Sequence, residues 1–137
     1  MLLYRPVGES ELRLIVAARF RAFPPRLPHQ PIFYPVLERE YAVQIARDWN
    51  TRDEASGFAG WVSEFDVLDE LVRRYPVRAA GGRLHRELWV PAAEMEDFNR
   101  SIVGPIRVTA SFVGAAFAGR LDPVTHLPED LRGGGGG

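Results

Sequence analysis

The stretch Phe58-Ala-Gly-Trp-Val-Ser-Glu-Phe-Asp-Val67 decides the fold class. Trp61, Ser63, Phe65 and Val67 share one face, and Val62, Glu64 and Asp66 share the other. A period of two is the mark of a strand. Immediately after it, Leu68, Leu71, Val72 and Tyr75 fall at i, i+3, i+4 and i+7, the spacing of a short helix, and Pro76 stops it. Strand and helix signals therefore follow one another within twenty residues.

The same mixture extends in both directions. Downstream, Val77–Ala80 is strand-compatible and Gly81-Gly82 is a turn. Leu84–Val90 alternates again, with Leu84, Arg86, Leu88 and Val90 on one face and His85, Glu87 and Trp89 on the other. Pro91 suits the first turn of a helix carrying Met95, Phe98 and Ile102. The last strand is Ile106–Phe112, with Ile106, Val108, Ala110 and Phe112 on one face. Upstream, a helix runs to about Asn50 on the stripe Leu37, Tyr41, Ile45 and Trp49, flanked by Ala42 and Ala46. Pro31–Pro35 is a short strand, and Phe23–Pro31 is a stiff loop holding four prolines. A first helix, with Ser10 as its N-cap, aligns Leu12, Ile15, Val16 and Phe20, and Leu2–Val7 precedes it as a strand. Short strands interspersed with short helices predict an α+β domain with a mixed, mainly antiparallel sheet.

The chain has 137 residues, enough for one domain with its own core. The apolar periodicity ends at Phe112, so residues 1–113 are expected to fold. Residues 114–137, which end in five glycines, are expected to form a mostly disordered tail. Seventeen basic and 18 acidic residues give a net charge of −1, and every basic residue is Arg. That balance does not fit a nucleic-acid polycation. Cysteine is absent, which excludes disulfides, thiol nucleophiles and Cys-ligated zinc. The first residues do not read as a secretory signal, and no apolar run reaches membrane-spanning length, so a cytoplasmic, bacterial-type protein is expected.

Few residues carry an obvious chemistry. His29 and His126 lack partners at metal-ligand spacing and read as solvated loop residues, so no metal is expected. No phosphate-binding glycine loop and no Gly-x-Ser-x-Gly elbow is present. Glu87 is the informative position. A carboxylate in mid-strand beside Trp89 is either an ion-pair partner on a wet face or an acid displayed in a cleft. Arg5, inside the first strand, is either a structural ion pair or a fork for phosphate or ribose oxygens. Tyr34 and Tyr41 place aromatic rings beside the proline loop, and Tyr41 fits core packing equally well.

The order of these pieces resembles the ADP-ribosyltransferase-like fold. It is most similar to small bacterial proteins labelled "ADP-ribosylation/crystallin J1". The stretches Tyr4-Arg-Pro-Val-Gly8, Ala22-Phe-Pro-Pro-Arg-Leu-Pro28, Gln30-Pro-Ile-Phe-Tyr-Pro-Val36, Ile45-Ala-Arg-Asp-Trp-Asn50 and Glu87-Leu-Trp-Val-Pro91 carry the likeness, with Phe98-Asn99 and Gly104-Pro105-Ile106. It covers about residues 2–112. The resemblance implies NAD as a substrate held in a cleft between two central strands. Arg5 would hold ribose or phosphates, and the proline loop would cover the donor with Arg26 reaching a phosphate. Tyr34 or Tyr41 would stack on nicotinamide, Trp89 would wall the cleft, and Glu87 would be the catalytic residue. The implied activity is ADP-ribose transfer to an unknown acceptor: a protein, a nucleic acid or a small molecule. The alternatives are a non-catalytic module that binds NAD, ADP-ribose or a protein, and an NAD glycohydrolase. The Ser-Thr-Ser triplet of the family pattern is absent, and His85 stands where a second acidic residue would precede Glu87.

Overall fold

The computed structural model describes residues 1–79, 81 and 85–131. Its elements follow the order β1 (Leu2–Val7), α1 (Glu9–Ala17), β2 (Ile32–Phe33), α2 (Arg39–Asp48), β3 (Ala59–Val67), α3 (Asp69–Val72), β4 (Arg78–Ala79), β5 (Arg86–Glu87), β6 (Val90–Pro91), α4 (Met95–Arg100) and β7 (Ile102–Val113). The class is α+β, and every strand pairing among the described residues is antiparallel. Strand β3 lies between β1 and β7. Beyond β1, Tyr4 bridges to Val36 and Val36 bridges to Glu87, and β5 then pairs with β4. The chain around Val36 thus ties the β4–β5 hairpin to the central sheet.

Helices cover both faces of the sheet. On one face Leu3, Val7, Trp61, Phe65 and Val67 pack with Leu12 and Ile15 of α1 and with Phe23, Phe33 and Phe98. Phe23 meets Phe33 at 5.0 Å and Phe65 at 4.7 Å between ring centroids, and Phe33 meets Phe98 at 5.2 Å. Burying each such ring stabilises the fold by roughly 1.5–3 kcal/mol. On the other face α2 lies against Val36 and Val62 through Ala42 and Ala46.

That packing corrects the expected stripe of α2. Ala42 and Ala46 are the buried residues, whereas Tyr41 and Ile45 are half-buried and Trp49 is 59% exposed. The reason is the closeness of helix and sheet. A Cβ on Gly60 would stand 2.5 Å from the carbonyl oxygen of Ala46 and 2.8 Å from its Cα. Only small side chains fit such a contact.

The expected single face of the last strand is also corrected. Ile106 and Val108 join the α1 side of the core, but Ala110 and Phe112 lie on the α2 side. The register shifts between Val62 and Ser63, whose partners are Ala110 and Val108, so Thr109 is an extra residue. One bulged residue reverses the alternation beyond it.

Leu88 and Val90 are buried as expected, but Arg86 is exposed, its guanidinium and amide N–H both donating to Glu38. The expected continuous strand divides into β5 and β6, and Leu84 lies outside the described residues. Gly8, rather than Ser10, is the N-cap of α1.

The expectation of a disordered tail fails over residues 114–131. Phe117, Leu121 and Leu127 pack on the core, and the Trp61 indole donates to the carbonyl oxygen of His126 at 2.7 Å. His126 is not a solvated loop residue: its Nδ1 lies 2.8 Å from Ser111 Oγ. Arg13 holds Asp130 with two hydrogen bonds. Scattered apolar residues without periodicity can still fill grooves in a core, which alternation does not reveal. Residues 132–137, the glycine run among them, lie outside the described residues.

Candidate functional site

The site forms where β1 and the chain around Val36 part. Tyr4 and Val36 exchange two backbone hydrogen bonds, Tyr4 N–H to Val36 at 3.0 Å and Val36 N–H to Tyr4 at 2.8 Å. Two residues further along, Pro6 falls on the same edge of β1 and has no N–H to offer. The carbonyl oxygen of Tyr34 accepts instead from Arg5 Nη1 at 3.4 Å. A proline in mid-strand therefore ends the ladder and leaves a gap with a guanidinium in it.

Two cavities adjoin this gap. The first, of about 440 Å³, is lined by Arg5, Pro6, Tyr34, Val36, Ile45, Trp49, Asn50, Glu87 and Trp89. The second, of about 460 Å³, shares Arg5, Pro6, Trp49 and Asn50 with it and adds residues from α1 and the proline loop, Glu11, Arg26 and His29 among them. Register places Tyr4, Val36 and Glu87 on the α2 face, whereas Arg5 shares the α1 face with Leu3 and Val7. Arg5 and Glu87 border one cleft because the strands part between them. They are not on neighbouring strands, because the chain around Val36 intervenes.

Four of the six residues anticipated from the sequence line the first cleft: Arg5, Tyr34, Glu87 and Trp89. Trp89 Nε1 donates to Glu87 Oε1 at 3.3 Å, and the Tyr34 ring stands edge-on to Trp89 with centroids 5.9 Å apart. Arg78, paired with Glu87 across the β4–β5 ladder, lays its guanidinium over the Trp89 ring at 4.0 Å. Both features hold the indole in place and turn its N–H toward the carboxylate. Tyr41 is not among the lining residues. Its ring stacks on His85 at 4.6 Å, and burial, followed by the Glu87 charge, raises its pKa. His85 also hydrogen-bonds Gln44 and is not among the residues that line the first cleft, although it shares a strand face with Glu87 and Trp89 in the sequence pattern.

Arg26 lines only the second cavity. Its Nε donates to the carbonyl oxygen of Gln30 at 3.2 Å, so it folds the proline loop back on itself. The loop is fastened at its start: Asn99 accepts from the Phe23 N–H at 2.9 Å and donates to the Phe23 carbonyl at 3.0 Å. Arg5 is already paired, its Nε and Nη2 holding Glu11 at 2.6 and 2.8 Å. Phe33 lies under the same guanidinium at 4.5 Å, so the aromatic core supports the cation from below.

Sequence reasoning missed Pro6, Glu11, Trp49 and Asn50. Pro6 was legible in principle, since proline in a strand marks an edge or an interruption. Glu11 was not, because its pairing with Arg5 depends on how α1 folds back over β1. Asn50 donates to Ser56 Oγ, which donates to Asp53, while Asn50 Oδ1 is buried without a partner among the described residues. No group of three His, Asp or Glu among the described residues is placed to hold a metal ion, and no helix is long and apolar enough to cross a membrane. The chain matches no protein-family model, no curated protein and no solved structure.

Proposed function

We propose that the cleft binds NAD and that Glu87 assists nicotinamide departure, with ADP-ribose passing to an acceptor. What supports the reading is the meeting of Arg5, Tyr34, Glu87 and Trp89 around one cavity of about 440 Å³. Loss of nicotinamide leaves positive charge on the ribose, and a fixed carboxylate stabilises it. The indole N–H of Trp89 orients that carboxylate, and the exposed Tyr34 and Trp89 rings offer faces to a flat cationic ring. Together these residues match the ADP-ribosyltransferase-like resemblance of the sequence.

Glu87 is half-buried, so water reaches it. That observation favours one second reading, an NAD glycohydrolase in which water is the acceptor. Incubating the purified protein with labelled NAD, with and without cell lysate, tests both. Nicotinamide release with label on a macromolecule supports transfer, and release with free ADP-ribose alone supports hydrolysis. No release removes both catalytic readings.

A further inference from the structure

The second cavity is balanced in charge but not pair by pair. Its lining holds Arg5, Arg26, Glu11 and Asp53, two positive groups and two negative. Arg5 closes on Glu11, its Nε and Nη2 taking both carboxylate oxygens at 2.6 and 2.8 Å. Arg26 keeps only a remote share of that carboxylate, with Nη1 4.0 Å from Glu11 Oε1. Its side chain is 9% exposed, and its Nε donates to Gln30, but its terminal nitrogens make no hydrogen bond among the described residues.

Asp53 is the complementary case. It belongs to the loop that follows α2 and makes no ion pair among the described residues. Its Oδ2 accepts the Ser56 hydroxyl at 2.6 Å, and Ser56 accepts from Asn50 Nδ2 at 2.8 Å. A carboxylate only accepts, so the direction of this chain is fixed, and the buried Asn50 Oδ1 is left without a donor. The loop therefore has acceptors in excess, as Arg26 has donors in excess.

A lone ion of either sign would unbalance this cavity. A molecule carrying both signs satisfies Arg26 with a carboxylate and Asp53 with an ammonium, and leaves the net charge at zero. The rest of the lining suits an apolar body. Leu14, Leu27 and Trp49, exposed by 53%, 53% and 59%, line the cavity together with Pro24 and Pro25. Apolar side chains left in water around a concavity gain by being covered.

We propose that this cavity of about 460 Å³ binds a free α-amino acid with a large apolar side chain. Arg26 holds its carboxylate, Asp53 holds its ammonium, and Leu14, Leu27 and Trp49 cover its side chain. The inference needs neither NAD turnover nor a catalytic Glu87.

The test compares four small molecules at neutral pH, where both amino-acid groups are charged. L-Phenylalanine carries the full set. 3-Phenylpropanoate lacks the ammonium, 2-phenylethylamine lacks the carboxylate, and glycine lacks the ring. Binding is followed by the NMR shifts of the Arg26 Nε–H and the Trp49 indole N–H. In the wild-type protein L-phenylalanine binds about tenfold or more tightly than each of the other three. Arg26→Gln weakens L-phenylalanine and 3-phenylpropanoate but not 2-phenylethylamine. Asp53→Asn weakens L-phenylalanine and 2-phenylethylamine but not 3-phenylpropanoate. The proposal is overturned if L-phenylalanine moves neither signal, or if any of the other three binds the wild type as tightly. The wild-type comparison decides the matter even if a variant fails to fold.

Discussion

Tyr4 and Val36 are the last residues to exchange backbone hydrogen bonds before β1 and its neighbour part at Pro6. The opening beside them is thus a consequence of a missing N–H. Pro6→Ala restores that donor opposite the Tyr34 carbonyl. The new bond is worth roughly 1 kcal/mol, and losing the proline costs about 0.4–1 kcal/mol through the unfolded chain. Stability should therefore change little. Closing the gap should weaken NAD binding by about tenfold or more, read by calorimetric titration. Unchanged affinity would show that the gap does not admit the ligand.

Glu87→Gln preserves volume and keeps an acceptor for the Trp89 indole while removing the charge. Nicotinamide release should fall by about 100-fold or more, with a melting temperature close to that of the wild type. Normal turnover with a lowered melting temperature would instead assign Glu87 to structure.

Gly60→Ala places a methyl group against the backbone of Ala46 at 2.5–2.8 Å. Helix α2 must move off the sheet, at a cost of about 1–3 kcal/mol, measurable by urea denaturation. Since Trp49 and Asn50 follow this helix and line both cavities, ligand affinity should fall as well. A fully stable variant would contradict the close contact.

Ending the chain at Val113 removes Phe117, Leu121 and Leu127 from the core and leaves the Trp61 indole N–H without its acceptor. Each half-buried side chain contributes about 1 kcal/mol, and the lost hydrogen bond about as much. The melting temperature should drop by roughly 10 °C or more. A drop of only a degree or two would mean that these contacts do not stabilise the fold.

Tyr75 donates to Glu94 at 2.7 Å, and burial, followed by this hydrogen bond to a carboxylate, pushes its pKa well above the ordinary value of 10.0. The protonated phenol is thus favoured by folding. Its contribution is fully present below pH 10 and is lost as the pH rises further toward the folded-state pKa. The urea midpoint should fall between pH 9 and pH 11 in the wild type, and less so in Tyr75→Phe. Equal falls in the two proteins would exclude Tyr75 as the source.

Much of the fold was legible in local pattern. The alternation of Trp61, Phe65 and Val67 against Val62 placed β3 correctly, and it made the class α+β. The spacing of Leu12 and Ile15 gave the buried face of α1. These signals are legible because a face that meets a core must repeat with the period of its own backbone. Arg5, Tyr34, Glu87 and Trp89 were singled out by their residue types and positions, with roles given only by a resemblance, and they line one cleft. Alternation alone placed Glu87 and Trp89 together on one face of their segment.

The tertiary structure decided what periodicity does not encode. Thr109 reverses the faces of β7, since a single extra residue leaves no trace in composition. Ala42 and Ala46, rather than the larger Ile45 and Trp49, meet the sheet because Gly60 lets the helix approach. Residues 114–131 dock through isolated side chains whose partners are distant in sequence, Trp61 with His126 and Arg13 with Asp130. The Arg5–Glu11 pair likewise depends on the turn from β1 into α1. A sequence specifies the repeat of its own backbone, whereas the partner of any one side chain is fixed only when separate segments meet in space.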